Sequence, residues 1–130
     1  MPITTPPQRN FETLNLPALQ KLSSGFKLWN NYLPRIPRLI RYSLGEKISS
    51  LFIDILELLL IAGYSDKQNK LPILQKASIK LDLLKYFLQT AFELKAIDNN
   101  KLAALAVPLA DVGRQLGGWL RDLAKQTPPN

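Results

Sequence analysis

The sequence predicts an all-α protein, an up-down-up-down four-helix bundle, on three observations. Apolar residues recur at alternating steps of three and four in four separate stretches, the periodicity of helices that each bury one face. Breaking and capping residues divide those stretches at Pro34 to Pro37, Gly63 to Asp66 and Ile97 to Asn100. No stretch alternates apolar and polar residues as a half-buried strand would. Connections this short make consecutive helices antiparallel.

Residues 1–15 carry Pro2, Pro6 and Pro7 among polar residues and read as a flexible tail, with the bundle expected over 16–124. The first helix, about 17–33, opens on Pro17, which suits a first helical turn. Its seam is Leu19, Leu22, Phe26, Trp29 and Leu33. Gly25 weakens it, and Pro34 and Pro37 end it.

The second helix is expected over about 37–63. Ser43 and Glu46 have capping-box spacing, but Ile40 and Leu44 already lie on the face used later and favour the earlier start. The seam runs through Leu44, Ile48, Leu51, Ile55, Leu58 and Ala62, widened by Phe52, Ile53, Leu56 and Leu59. A helix so apolar around its circumference is buried on more than one side, which suggests contact between subunits. Gly63 reads as its C-cap, and Ser65 or Asp66 as the next N-cap.

The third helix, about 66–96, has Leu74, Ala77, Leu81, Leu84, Leu88 and Ala91 as its seam, with Pro72 in its first turn or two. Asp98 or Asn99 can cap the fourth, about 98–123, whose seam is Leu102, Leu105, Leu109, Val112, Leu116, Trp119 and Leu123. Pro108 removes one backbone hydrogen bond there, yet the apolar spacing passes through it unchanged, so one bent helix is expected. Residues 125–130 read as a frayed tail.

Three glycines, Gly113, Gly117 and Gly118, interrupt this last seam, although each mid-helix glycine costs about 1 kcal/mol relative to alanine. The physical reason to accept them is close approach by another helix, another subunit or a ligand. Arg114 and Arg121 flank the glycine pair, nearly two turns apart on roughly one face.

The chain of 130 residues has neither cysteine nor histidine, which removes disulfides, Cys/His zinc sites, thiol nucleophiles and imidazole acid–base chemistry. The absence of cysteine fits a reducing cytoplasm. The first nine residues lack the apolar core of a signal peptide, and the most apolar run, 51–64, is too short to span a bilayer and contains Asp54 and Glu57. Those two acids stand at i, i+3, but a bundle metal site needs matching ligands on facing helices, normally with histidine. Ser23, Ser24, Ser49 and Ser50 have no base to activate them, and no phosphate-binding loop is present. The expectation is a protein that is not an enzyme and uses no cofactor or metal.

The net charge of +7 comes from 17 Lys and Arg against 10 Asp and Glu. Arg35, Arg38 and Arg41 recur every three residues and Lys47 follows, in a chain without any acid from Thr13 to Gly45. Lys76 and Lys80 stand at i, i+4, where like charges repel. Unpaired positive charge on helical faces is the footprint of a phosphate-binding surface, contacting backbone and shape more than sequence. Trp29 and Trp119 fall on seam positions and read as core.

Arg41-Tyr42-Ser43-Leu44-Gly45-Glu46-Lys47-Ile48 is similar to the Arg-Tyr/Phe-x-Leu-Gly-x-x-Ile/Leu signature of the accessory variability determinant (Avd) proteins of diversity-generating retroelements. Val112 to Leu120, with its Gly-Arg-x-Leu-Gly-Gly-Trp core, resembles that family's C-terminal signature. The resemblance covers residues 20 to 123; Pro108 and the lysine bias of the third helix depart from the pattern. It implies a homopentameric barrel of four-helix bundles that associates with the retroelement's reverse transcriptase and template RNA during mutagenic copying into a variable gene. Arg35, Arg38, Arg41, Lys47, Lys76, Lys80, Arg114 and Arg121 are then the candidate contacts to nucleic acid or partner, with Leu44, Gly45, Gly113, Gly117, Gly118 and Trp119 in close packing. Two alternatives stay open: a bundle protein of the type encoded in intervening sequences of 23S ribosomal RNA genes, and a module that binds only acidic proteins.

Overall fold

The computed structural model describes residues 16–126, and all the regular structure among them is helical. Helix α1 (Pro17–Tyr32) leads into a 3-10 turn (Leu33–Arg35), then a one-turn helix α2 (Arg38–Ile40), a π turn (Arg41–Gly45) and helix α3 (Glu46–Tyr64). Helices α4 (Lys67–Glu93) and α5 (Asn99–Gln126) complete the chain. The long helices α1, α3, α4 and α5 form the bundle: α1 packs on α3 and α5, and α4 packs on the same two from the other side.

Four cross-helix pairs fix the direction of each helix. The end of α1 meets the start of α3 through Trp29 and Ser49, and the start of α5 through Tyr32 and Lys101. Lys80 of α4 meets Asp54 of α3, and Lys70 near the start of α4 covers Trp119 near the end of α5. Neighbours therefore run antiparallel, as short loops demand.

The seams point inward. Leu74, Ala77, Leu81, Leu84, Leu88 and Ala91 of α4 are all buried, as are Leu105, Leu109, Val112, Leu116 and Leu123 of α5. In α1 the innermost line is Ala18, Leu22, Gly25 and Trp29, with Leu19, Phe26 and Leu33 half-buried beside it. Trp29 is fully enclosed because its indole Nε1 donates to Ser49 Oγ at 2.9 Å, so its polar edge stays satisfied.

Pro108 sits inside an unbroken α5, where its ring faces Gly25: a Cβ on Gly25 would lie 3.6 Å from Pro108 Cγ and 3.4 Å from Phe52 Cε1. The glycine of α1 thus lies opposite the proline of α5.

Several boundaries differ from those the sequence suggests. Gly63 is not a C-cap: α3 continues through Tyr64 to a C-cap at Ser65, whose hydroxyl donates to Ile61 O. The third long helix stops at Glu93, because Lys95 takes the left-handed conformation (φ 63°). Lys95 N then donates to Phe92 O and Ala96 N to Ala91 O, the two bonds of a Schellman closure. A lysine where glycine is usual hid this stop. Of the alternative N-caps, Asp66 accepts from Asn69 N and Asp98 from Lys101 N. Helix α5 extends to Gln126, so Lys125, expected to fray, is helical. The expected tail at 1–15 and residues 127–130 lie outside the described residues.

Candidate nucleic-acid interface

The eight basic residues expected to form an interface fall into three settings. The first is the end of the bundle where α1 gives out. With prolines at 34 and 37 the chain cannot continue as helix, and it turns through Arg35, Arg38 and Arg41 within one short segment of mixed 3-10, α and π winding. Lys47 follows in the first turn of α3, and Lys101 approaches the same end, its Nζ 5.5 Å from the Tyr32 ring. Arg38 and Arg41 both reach the ring of Tyr42, at 5.7 and 5.6 Å from its centroid. Arg41 Nη1 also donates to Pro34 O at 3.5 Å, while its Nε is shielded from solvent without an acceptor. Among the described residues no acid forms an ion pair with Arg35, Arg38, Arg41 or Lys47. Their charge is unpaired among the described residues.

The second setting is mid-bundle, and there two of the three cations, Lys80 and Arg114, are paired with acids. Lys80 Nζ donates to Asp54 Oδ2 at 2.8 Å across α3 and α4, and Lys76 lines the same shallow hollow as Glu57. Arg114 bonds Asp111, which Lys21 also approaches at 3.8 Å. Sequence spacing could not reveal the Lys80–Asp54 pair, because its members stand 26 residues apart.

The third is the far end, where Arg121 folds back over the glycine pair. Its Nη1 would lie 3.5 Å from a Cβ on Gly117, and its Nη2 3.7 Å from one on Gly118; among the described residues no other heavy atom outside the local helix backbone and the adjacent residues comes within 4 Å of either position. Arg114 and Arg121 thus have different neighbours, Asp111 for the one and the glycine pair for the other. At Gly113 a Cβ would meet Lys85 Nζ at 3.2 Å and Leu81 Cδ2 at 3.8 Å, so this glycine gives the Lys85 ammonium room to lie against α5. Trp119 is half-buried, with Lys70 Nζ 5.7 Å from its ring.

The motif around Leu44 and Gly45 shapes the first end. Leu44 is half-buried against the core, and Gly45 is buried under the 3-10 turn. A Cβ on Gly45 would sit 3.3 Å from Leu33 Cδ1 and 3.5 Å from Ile40 O, closer than the turn comfortably allows. Ser43 does not cap a helix; its hydroxyl donates back to Leu39 O and Ile40 O inside the π turn. The wider π winding carries Arg41, Tyr42 and Gly45 onto the wall of one open groove of about 450 Å³. Tyr42 is the residue that sequence reasoning left without a role. The signal for it was present, since Arg38 stands four residues before it and Arg41 immediately before.

Among the described residues no three metal-ligating side chains converge, and no helix is long and apolar enough to cross a membrane. A search of curated proteins finds no match to the chain. The model of a family described as bAvd-like matches residues 19–123, the whole of the bundle except its outermost turns, and the chain belongs to that family.

Proposed function

We propose that this protein is a non-enzymatic accessory factor of a diversity-generating retroelement, which binds the reverse transcriptase and its template RNA or cDNA through a basic surface. Family membership supplies the retroelement setting. The observation that carries the nucleic-acid part is the charge of Arg35, Arg38, Arg41 and Lys47 on one end of the bundle, unpaired among the described residues, against the paired Lys80 and Arg114 at its middle. A surface that neutralises phosphates releases counterions, so binding to single strands should weaken with a log–log salt slope of about −0.7 per phosphate contacted. Titrating labelled RNA at several salt concentrations tests this. Binding that is flat in salt, or no complex even in dilute buffer, refutes it and favours a module for acidic proteins.

The working form is proposed to be a homo-oligomer, a pentamer by the family resemblance. Ile61 of α3 and Ile79, Leu83 and Tyr86 of α4 are exposed, more apolar surface than a solitary bundle needs. Gly117 and Gly118, approached among the described residues by the Arg121 guanidinium, leave the α5 backbone open to a second copy. Mass in solution by light scattering, with and without RNA, decides between an assembly and a monomer.

A further inference from the structure

We propose that the groove beside Tyr42 takes one unpaired base of the bound nucleic acid, stacked on the Tyr42 ring, while Arg38 and Arg41 hold the flanking phosphates. This rests on the nucleic-acid reading above and assigns it a subsite.

Three observations support the assignment. Tyr42 is 60% exposed and is absent from the core, so the fold does not require an aromatic ring there. Two guanidinium groups lie over its ring, 5.7 and 5.6 Å from the centroid, neither paired with an acid among the described residues; a stacked base takes the place of one of them on the ring face and frees that arginine for a phosphate. An aromatic platform between arginines is the arrangement that binds single strands, because every base has a π face and every linkage a charge. Third, the ring opens onto a groove of about 450 Å³, within the range of small-molecule clefts. The groove is lined by the apolar Leu33 and Ile53 and the polar Glu46, Ser49 and Ser50 besides Arg41 and Tyr42. A base seated there covers apolar surface, and a lining acid suits the edge N–H groups of a base. The simpler reading, a solvated tyrosine held by two cations, leaves that groove unused and makes a different prediction.

Fluorescence anisotropy with a short labelled single-stranded RNA separates the two, using the full chain and Tyr42→Leu, Tyr42→Trp and Arg38→Ala. Tyr42→Leu should weaken single-strand binding about tenfold, the effect of losing one stacked base, with an unchanged salt slope. Arg38→Ala should flatten the slope by about 0.7. Tyr42→Trp should bind like the parent, and the parent alone of the Tyr/Leu pair should quench a 2-aminopurine placed in the strand. Circular dichroism of each variant checks that the helices persist, and duplex binding should not respond to Tyr42→Leu. If Tyr42→Leu binds within twofold of a salt-sensitive parent, the base subsite is wrong while the electrostatic reading stands. If the parent binds no RNA or single-stranded DNA in dilute buffer, both fall.

Discussion

Lys80 of α4 reaches across the bundle to Asp54 of α3, Nζ to Oδ2 at 2.8 Å, and so spends within the protomer a charge that otherwise looks available to a ligand. Arg38, by contrast, lies over the Tyr42 ring and forms no ion pair among the described residues. The two cations should differ in what their loss does. Lys80→Ala is expected to lower stability by no more than about 1 kcal/mol, as for a partly exposed pair, and to change RNA affinity less than Arg38→Ala does. Thermal melts and salt-dependent titrations of both variants check this; equal losses of affinity would show that pairing with Asp54 does not withhold Lys80 from phosphate.

Gly25→Ala should stabilise the protein. A Cβ there meets Phe52 at 3.4 Å and Pro108 at 3.6 Å, ordinary contact distances, and the substitution recovers up to about 1 kcal/mol of helix propensity. A higher midpoint of thermal unfolding is the expected result. A drop would mean that the Pro108 ring needs more room than the geometry indicates.

Lys95→Gly is expected to stabilise by about 1 kcal/mol, because the left-handed conformation that closes α4 is strained for any residue with a Cβ. Removing the cap at the next helix should do the reverse: Asp98→Ala deprives Lys101 N of its acceptor and should cost about 1 kcal/mol. Denaturant titration of the two single variants provides the check, and a loss of stability in Lys95→Gly would rule out strain at that turn.

The exposed apolar stripe offers a test of assembly. Ile79→Glu with Leu83→Lys places charges of both signs on a surface outside the core, so the protomer should remain helical. If the parent is the proposed homo-oligomer, the variant's mass from light scattering should fall to that of a single chain. An oligomeric parent whose mass the substitutions leave unchanged would place the subunit contact on another face.

Gly117→Ala distinguishes the same readings from the α5 side. Within the protomer the new methyl group meets only the Arg121 tip at 3.5 Å, so an isolated bundle should become more stable by up to about 1 kcal/mol. In an assembly packed against this backbone it should instead weaken association. A stabilised protein of unaltered mass would remove Gly117 from the subunit contact.

What the sequence determined by itself is local. Leu74 through Ala91 and Leu105 through Leu116 announce their buried faces because helical periodicity is a property of neighbours three and four apart, and burial of each leucine is worth about 1.5–3 kcal/mol wherever its partner comes from. The arginine repeat at 35, 38 and 41 was legible for the same reason, as was the turn enforced by Pro34 and Pro37. What the tertiary structure decided is pairing across helices. Asp54 claims Lys80, Lys21 of α1 approaches Asp111 of α5, Gly25 lies opposite Pro108, and the π turn sets Tyr42 on a groove lined by Leu33 and Ile53. Such contacts depend on which helix lies alongside and at what height, and no spacing within one helix encodes either.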